Sequence, residues 1–71
     1  MKNHAKLHDV VALLGDLPES KLSRGQVGTV IDELDGNSLL VEFSDDEGRA
    51  YAVTAVEASK ALVLHTEPVA A

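Results

Sequence analysis

Seventy-one residues make one domain, because a second would lack residues for a core of its own. The 45% hydrophobic content excludes a disordered chain, and the absence of cysteine excludes disulfide staples and thiolate metal sites. Six basic residues against 12 acidic ones give a net charge of −6, which disfavours nucleic acid as a partner, since such binders gain affinity by neutralising phosphates with Lys and Arg.

Residues 1–6 are polar and read as a flexible lead-in. No apolar run of signal-peptide length follows them. The longest purely apolar stretch, Val10 to Leu14, is five residues, too short to span a bilayer, and a cytoplasmic protein with no membrane contact is expected. The run Leu7 to Leu14 carries its apolar residues at spacings that also suit a helix, but Gly15 and Pro18 confine it to two turns, so it is assigned as a strand. Residues 15–21 form a surface loop rich in turn residues.

The next run, Gln26 to Leu34, is β-branched and has Gly28 inside it, where a glycine marks a bulge or a close backbone approach. Asp35-Gly36-Asn37 is the strongest hairpin signal, because Gly and Asn accept the positive φ of tight hairpin turns. Ser38 to Ser44 alternates strictly, placing Leu39, Val41 and Phe43 on one face. Asp45-Asp46-Glu47-Gly48 makes a turn, and Arg49 to Thr54 is the fourth strand, with Tyr51 and Val53 sharing a face. Thr54-Ala55-Val56-Glu57 matches a capping box, so a helical turn is expected over about 55–60. Ala61 to His65 is the fifth strand and residues 66–71 a flexible tail.

The expected architecture is all-β: a small five-stranded SH3-like barrel over residues 7–65 with one short helical turn before the last strand. An OB-fold also has five strands, but its helix lies between strands three and four, where only a tight turn fits in this chain.

The segment Leu22-Ser23-Arg24-Gly25-Gln26-Val27-Gly28-Thr29-Val30 reads L-x-R-G-x-x-G-x-V. It resembles the opening of KOW modules and of the SH3-like domain in nitrile hydratase β-subunits and their small activators. The resemblance implies that Gly25 turns the chain into a strand and that Gly28 lets the strand coil sharply. Together with Leu7-His8-Asp9-Val10-Val11-Ala12-Leu13-Leu14 and Asp16-Leu17-Pro18-Glu19, it makes the chain similar to a bacterial family of small domain-of-unknown-function proteins. Members carry "HDVVAL…DLPE…L.RGQVGTVV" and end near "LVLH.EP". KOW modules usually surround the glycine with basic residues, whereas only Lys21 and Arg24 stand near it in this chain. The metal-binding cysteines of nitrile hydratases lie on a different subunit, and this chain could not hold that metal.

No residues assemble a catalytic set. With no Cys, a nucleophile would have to be one of the scattered Ser or Thr residues, none in a nucleophile-elbow setting, and the imidazoles are His4, His8 and His65. Asp45-Asp46-Glu47 lacks the alternating oxygen ligands of a calcium loop, and His4 and His8 are too far apart on an extended segment to share a metal. Gly25-x-x-Gly28 opens a strand and is not a phosphate loop. Phe43 and Tyr51 are too few aromatics for a proline-rich peptide groove or a base-stacking platform. Neither a catalytic activity nor a cofactor is therefore expected.

What remains is binding. Leu40 and Val63 oppose the core-facing residues of their strands and would make an apolar patch if exposed. The expected function is a non-catalytic protein-interaction module, an accessory, antidote-like or adaptor protein. It would contact another polypeptide, or a second copy of itself, through Leu40, Asp45, Asp46, Glu47, Arg49, Tyr51 and Val63, while Gly25, Gly28 and Gly36 serve the fold. The alternative is an RNA-associated KOW-like module using the Arg24-Gly25 motif.

Overall fold

The computed structural model describes residues 5–68. Five strands form one antiparallel sheet: β1 (Val10–Leu13), β2 (Val27–Glu33), β3 (Ser38–Ser44), β4 (Ala50–Glu57) and β5 (Ala61–Val63), in the order β4-β3-β2-β1-β5. The first four strands follow one another across the sheet. The chain then turns through a short 3₁₀ segment, Ala58–Lys60, and crosses back so that β5 pairs with β1. β4 and β5 are the two edges, so the sheet is not closed into the expected barrel.

Alternation in β3 sets the core. Leu39, Val41 and Phe43 are buried, and their inward faces meet Val11 and Leu13 of β1, Val30 of β2 and Val56 of β4. Ala5 and Leu22 complete this aliphatic cluster, with Val63, Ala61 and Leu17 packed at its margin. Phe43 is the one aromatic ring fully inside, at 0% exposure. Two register shifts bend the sheet around this core, one at Ile31 in β2 and one at Tyr51 in β4, as bulges do by adding a residue to one strand of a pair.

Several boundaries differ from the sequence reading. The first strand is shorter than residues 7–14, because Lys6 to Asp9 form a turn: Asp9 N–H donates to Lys6 O at 2.9 Å and Lys6 N–H to the Asp9 carboxylate at 2.8 Å. His8 sits in that turn at φ +77°. Of the expected lead-in, residues 1–4 lie outside the described residues, while Ala5 is in the core. Residues 69–71 of the expected tail also lie outside, and residues 66–68 are exposed.

The capping box does not form. β4 continues through Thr54 to Glu57, and the 3₁₀ turn begins only at Ala58, with no side-chain cap. Pairing with β3 outweighs the local motif, since Val56 lies opposite Leu39 and is buried there. Thr54 Oγ1 instead meets Ser20 Oγ at 3.1 Å.

The 15–21 loop is more ordered than its composition implies. Leu17 and Leu22 exchange backbone hydrogen bonds of 2.8 and 3.1 Å, pinching the loop and turning Leu22 inward. Pro18 opens a one-turn 3₁₀ segment, Pro18–Ser20, a position that its fixed φ suits.

The hairpin between β2 and β3 also has another form. Neither Gly36 nor Asn37 adopts positive φ. Four residues, 34–37, connect the strands, and Ser38 N–H donates to Asp35 O at 2.7 Å. The wider loop is built on an ordinary turn and does not need a mirror-image two-residue one. Positive φ is spent elsewhere on glycine, at Gly25 (+93°) before β2 and Gly48 (+84°) before β4.

Candidate functional site

A sheet with one core leaves its second face to solvent, and strand alternation decides what stands there. Val10 and Ala12 on β1, Val27 and Thr29 on β2, Leu40 and Glu42 on β3, Val53 and Ala55 on β4, and Leu62 on β5 take the outward positions. The register joins Leu62, Ala12 and Val27 in one row and Val10, Thr29, Glu42 and Val53 in the next. Exposure reaches 50% at Leu62, 51% at Val53 and 44% at Val27, high values for large apolar side chains, with Ala12 between Leu62 and Val27 and with Thr29 and Glu42 between Val10 and Val53.

No strand carries a lysine or arginine, whereas Asp32, Glu33, Glu42 and Glu57 all lie on strands. The described cations sit in the turns and loops, at Lys6, Lys21, Arg24, Arg49 and Lys60. The sheet is therefore apolar and negative, with nothing on it to neutralise a phosphate.

At the β3–β4 end stands the acidic turn. Asp45 is its structural member: its carboxylate oxygen accepts the Glu47 N–H at 2.9 Å and the Arg49 N–H at 3.0 Å. Its backbone closes the turn by donating to Arg49 O at 2.9 Å. This role was hidden in the sequence, where Asp45 and Asp46 look equivalent. Aspartate preceding a turn glycine is the signal that could have revealed it, because the short carboxylate reaches its own backbone two residues on. Asp46 projects freely, and Glu47 forms an exposed ion pair with Arg49, a type worth about 0–1 kcal/mol. Tyr51 occupies the β4 bulge at the rim of the sheet, where its hydroxyl accepts from Gln26 Nε2 at 3.1 Å and its ring centroid lies 6.5 Å from that of Phe43.

Of the residues expected to bind, Asp45, Asp46, Glu47, Arg49 and Tyr51 are contiguous at one end of the sheet. Leu40 is half-buried on the outward face of β3, between Asp32 and Ala55. Val63 does not join it. Val63 pairs with Val11 and packs against the core, and β1 and β2 separate its strand from Leu40. The outward residue of β5 is Leu62, because the strand enters from the 3₁₀ turn with Ala61 facing inward. The exposed apolar residues of this face are Leu62, Val27, Val10 and Val53; the sequence reading assigns none of them to a binding surface and turns Leu62 toward the core, opposite Val63.

Among the described residues, no group of three or more His, Asp or Glu comes together that could hold a metal ion. None of the helical segments is long and apolar enough to cross a membrane. Gly25 and Gly28 both sit where a side chain is excluded, Gly25 by its φ and Gly28 by crowding, whereas Gly36 has open space around it.

No curated protein and no solved structure matches the chain at a significant level. A family match does exist, to Domain of unknown function (DUF4926), over residues 7–63. Those bounds run from the turn before β1 to the last residue of β5, so the match takes in the whole sheet, and the chain belongs to the DUF4926 family.

Proposed function

We propose that this chain is a small cytoplasmic protein-interaction module, built on an SH3-like plan and non-catalytic, that docks on a basic and apolar surface of another polypeptide. The observation that carries this reading is the outward sheet face: four large exposed apolar residues on strands that hold carboxylates and no cation. Such a face fits a partner that offers apolar side chains flanked by Lys or Arg. The strand order supports the SH3-like plan, since a four-strand meander is followed by a 3₁₀ turn and a fifth strand that returns to the first. The two bulges supply the curling that such a barrel needs. A KOW-like, RNA-associated role gains no support from the sheet, and Lys21 and Arg24 alone supply too few phosphate contacts.

The acidic turn offers the test. Asparagine at Asp45 keeps an oxygen acceptor for the two N–H groups of the turn, so the double variant Asp45→Asn, Asp46→Asn is expected to fold with a urea midpoint close to wild type, within about 0.5 kcal/mol. Against a partner captured from the native host, the same variant should associate several-fold more slowly at low salt, with a shallower salt dependence. Unchanged association rates across salt would remove the acidic turn from the docking surface.

A further inference from the structure

The two edges of the sheet are unlike. β5 is three residues long, and shortness is one of the ways natural sheets protect an edge. β4 runs eight residues, pairs only with β3, and contains no Pro, Lys or Arg to blunt it.

Its free backbone groups can be assigned. Ala58 N–H donates to Asn37 O at 2.7 Å, which sets the phase of the β3–β4 ladder. Hydrogen-bonded pairs alternate along an antiparallel ladder, and the register is unbroken from Ala52 to Glu57. Ala52, Thr54 and Val56 therefore bond to β3, and the N–H and C=O groups of Val53, Ala55 and Glu57 point away from it. All three residues are exposed, and among the described residues no other group bonds to them. Ser20 touches β4 at the Thr54 hydroxyl, on the core side.

The charge along β4 says what would cover this edge. The strand is uncharged from Ala50 to Val56, with Arg49 before it and Glu57 at its end. We propose that β4 is the contact between two copies of this chain, paired antiparallel across a two-fold axis at Val53 to form one continuous sheet. That register joins the outward-pointing groups of Val53 to their own copies and sets Ala55 opposite Tyr51. While the Arg49 backbone stays bonded to Asp45, it brings Glu57 of each copy beside the Arg49 side chain of the other, so opposite charges meet twice. A parallel arrangement would set Arg49 beside Arg49 and Glu57 beside Glu57. The present partner of Arg49 is the exposed Glu47, an ion pair weak enough to exchange. The net charge of −6 opposes association at long range, but salt screens it beyond ~8 Å at physiological ionic strength.

This pairing can be tested apart from the docking face. Val53 and Arg49 belong to both surfaces, but Leu62 and Val27 lie away from the β4 edge, so changes at those two positions test the docking face alone and sedimentation of the unbound chain tests the pairing alone. A dimer would present the outward face twice and so raise its avidity for a repeated partner.

The test is sedimentation velocity on the full chain from micromolar to about 1 mM, the weak end of specific association. Wild type is expected to shift from monomer to dimer, and Val53→Pro, which removes an outward N–H but no β3–β4 bond, to remain monomeric. Should that proline disturb folding, charge exchange decides the question. Arg49→Glu alone and Glu57→Arg alone should each weaken the dimer about tenfold, since each places like charges together twice. The double variant Arg49→Glu, Glu57→Arg should recover the wild-type constant. A wild type monomeric through that range, a dimer unaffected by both single charge changes, or a double variant that fails to recover would each overturn the proposal.

Discussion

A Phe43→Ala protein should be largely unfolded in moderate urea, with a loss of about 3–5 kcal/mol. Phe43 is fully buried and is the only aromatic ring inside a core of otherwise aliphatic side chains, so its removal leaves a cavity that no neighbour of similar size can fill. The whole domain has little to spare, since stabilities of roughly 0.05–0.15 kcal/mol per residue give about 4–10 kcal/mol for a chain of this length. Val53→Ala is the matched control. That side chain is 51% exposed on the outward face, and its loss should move the urea midpoint by no more than about 0.5 kcal/mol. Equal effects from the two substitutions would mean that the sheet buries its other face.

The second large effect is expected at Gly28, where strand propensity and packing disagree in sign. Valine is favoured over glycine in strands by up to ~1 kcal/mol. Against this, a Cβ on Gly28 would lie 2.6 Å from Val41 Cγ1, 2.8 Å from Glu42 O and 2.9 Å from Phe43 Cδ2. The Glu42 oxygen belongs to the backbone of the neighbouring strand, which cannot retreat without breaking the β2–β3 ladder. Overlap should win. Gly28→Ala is expected to cost about 1–3 kcal/mol, and Gly28→Val more, because its branch enters the same space. A glycine series separates crowding from backbone conformation. Gly25→Ala should cost about 1–3 kcal/mol through its φ of +93° alone, since open space surrounds it. Gly36→Ala should be neutral or stabilising by up to about 1 kcal/mol, because neither φ nor space excludes a side chain there. Urea midpoints for the three positions check this order, and a stabilised Gly28→Val would refute the close approach of β2 to β3.

Which of these features the sequence displayed depends on the range of the interaction behind them. The strict alternation of Leu39, Val41 and Phe43 exposed both the strand and its inward face, because period two is a local property. The close approach at Gly28 was also legible, since a glycine within a β-branched run has few other reasons to be there. Long-range pairing was not. Thr54 to Glu57 carries a good capping box, yet the backbone of β3 offers three further residues a ladder and a buried slot for Val56. Asp35-Gly36-Asn37 suits a two-residue turn, but the β2 bulge at Ile31 shifts the register and the loop widens. The site followed the same division. The acidic turn is contiguous and was visible as such, whereas the apolar patch is made by cross-strand rows. Val63 faces inward against the sequence expectation, because the facing of a three-residue strand depends on how the preceding 3₁₀ turn delivers it.

The proposal that the outward face docks a partner can be tested by placing a photo-crosslinking amino acid at Leu62 or Val27, and as a control at Glu19, an exposed position in the 15–21 loop. Irradiated in the native host, the Leu62 and Val27 proteins should each join one and the same polypeptide, distinct from this chain and bearing Lys or Arg near the crosslinked residue. The Glu19 protein should join none. Adducts formed from Glu19 but not from Leu62 or Val27 would place the docking surface on the loop side of the sheet and contradict the role assigned to its outward face.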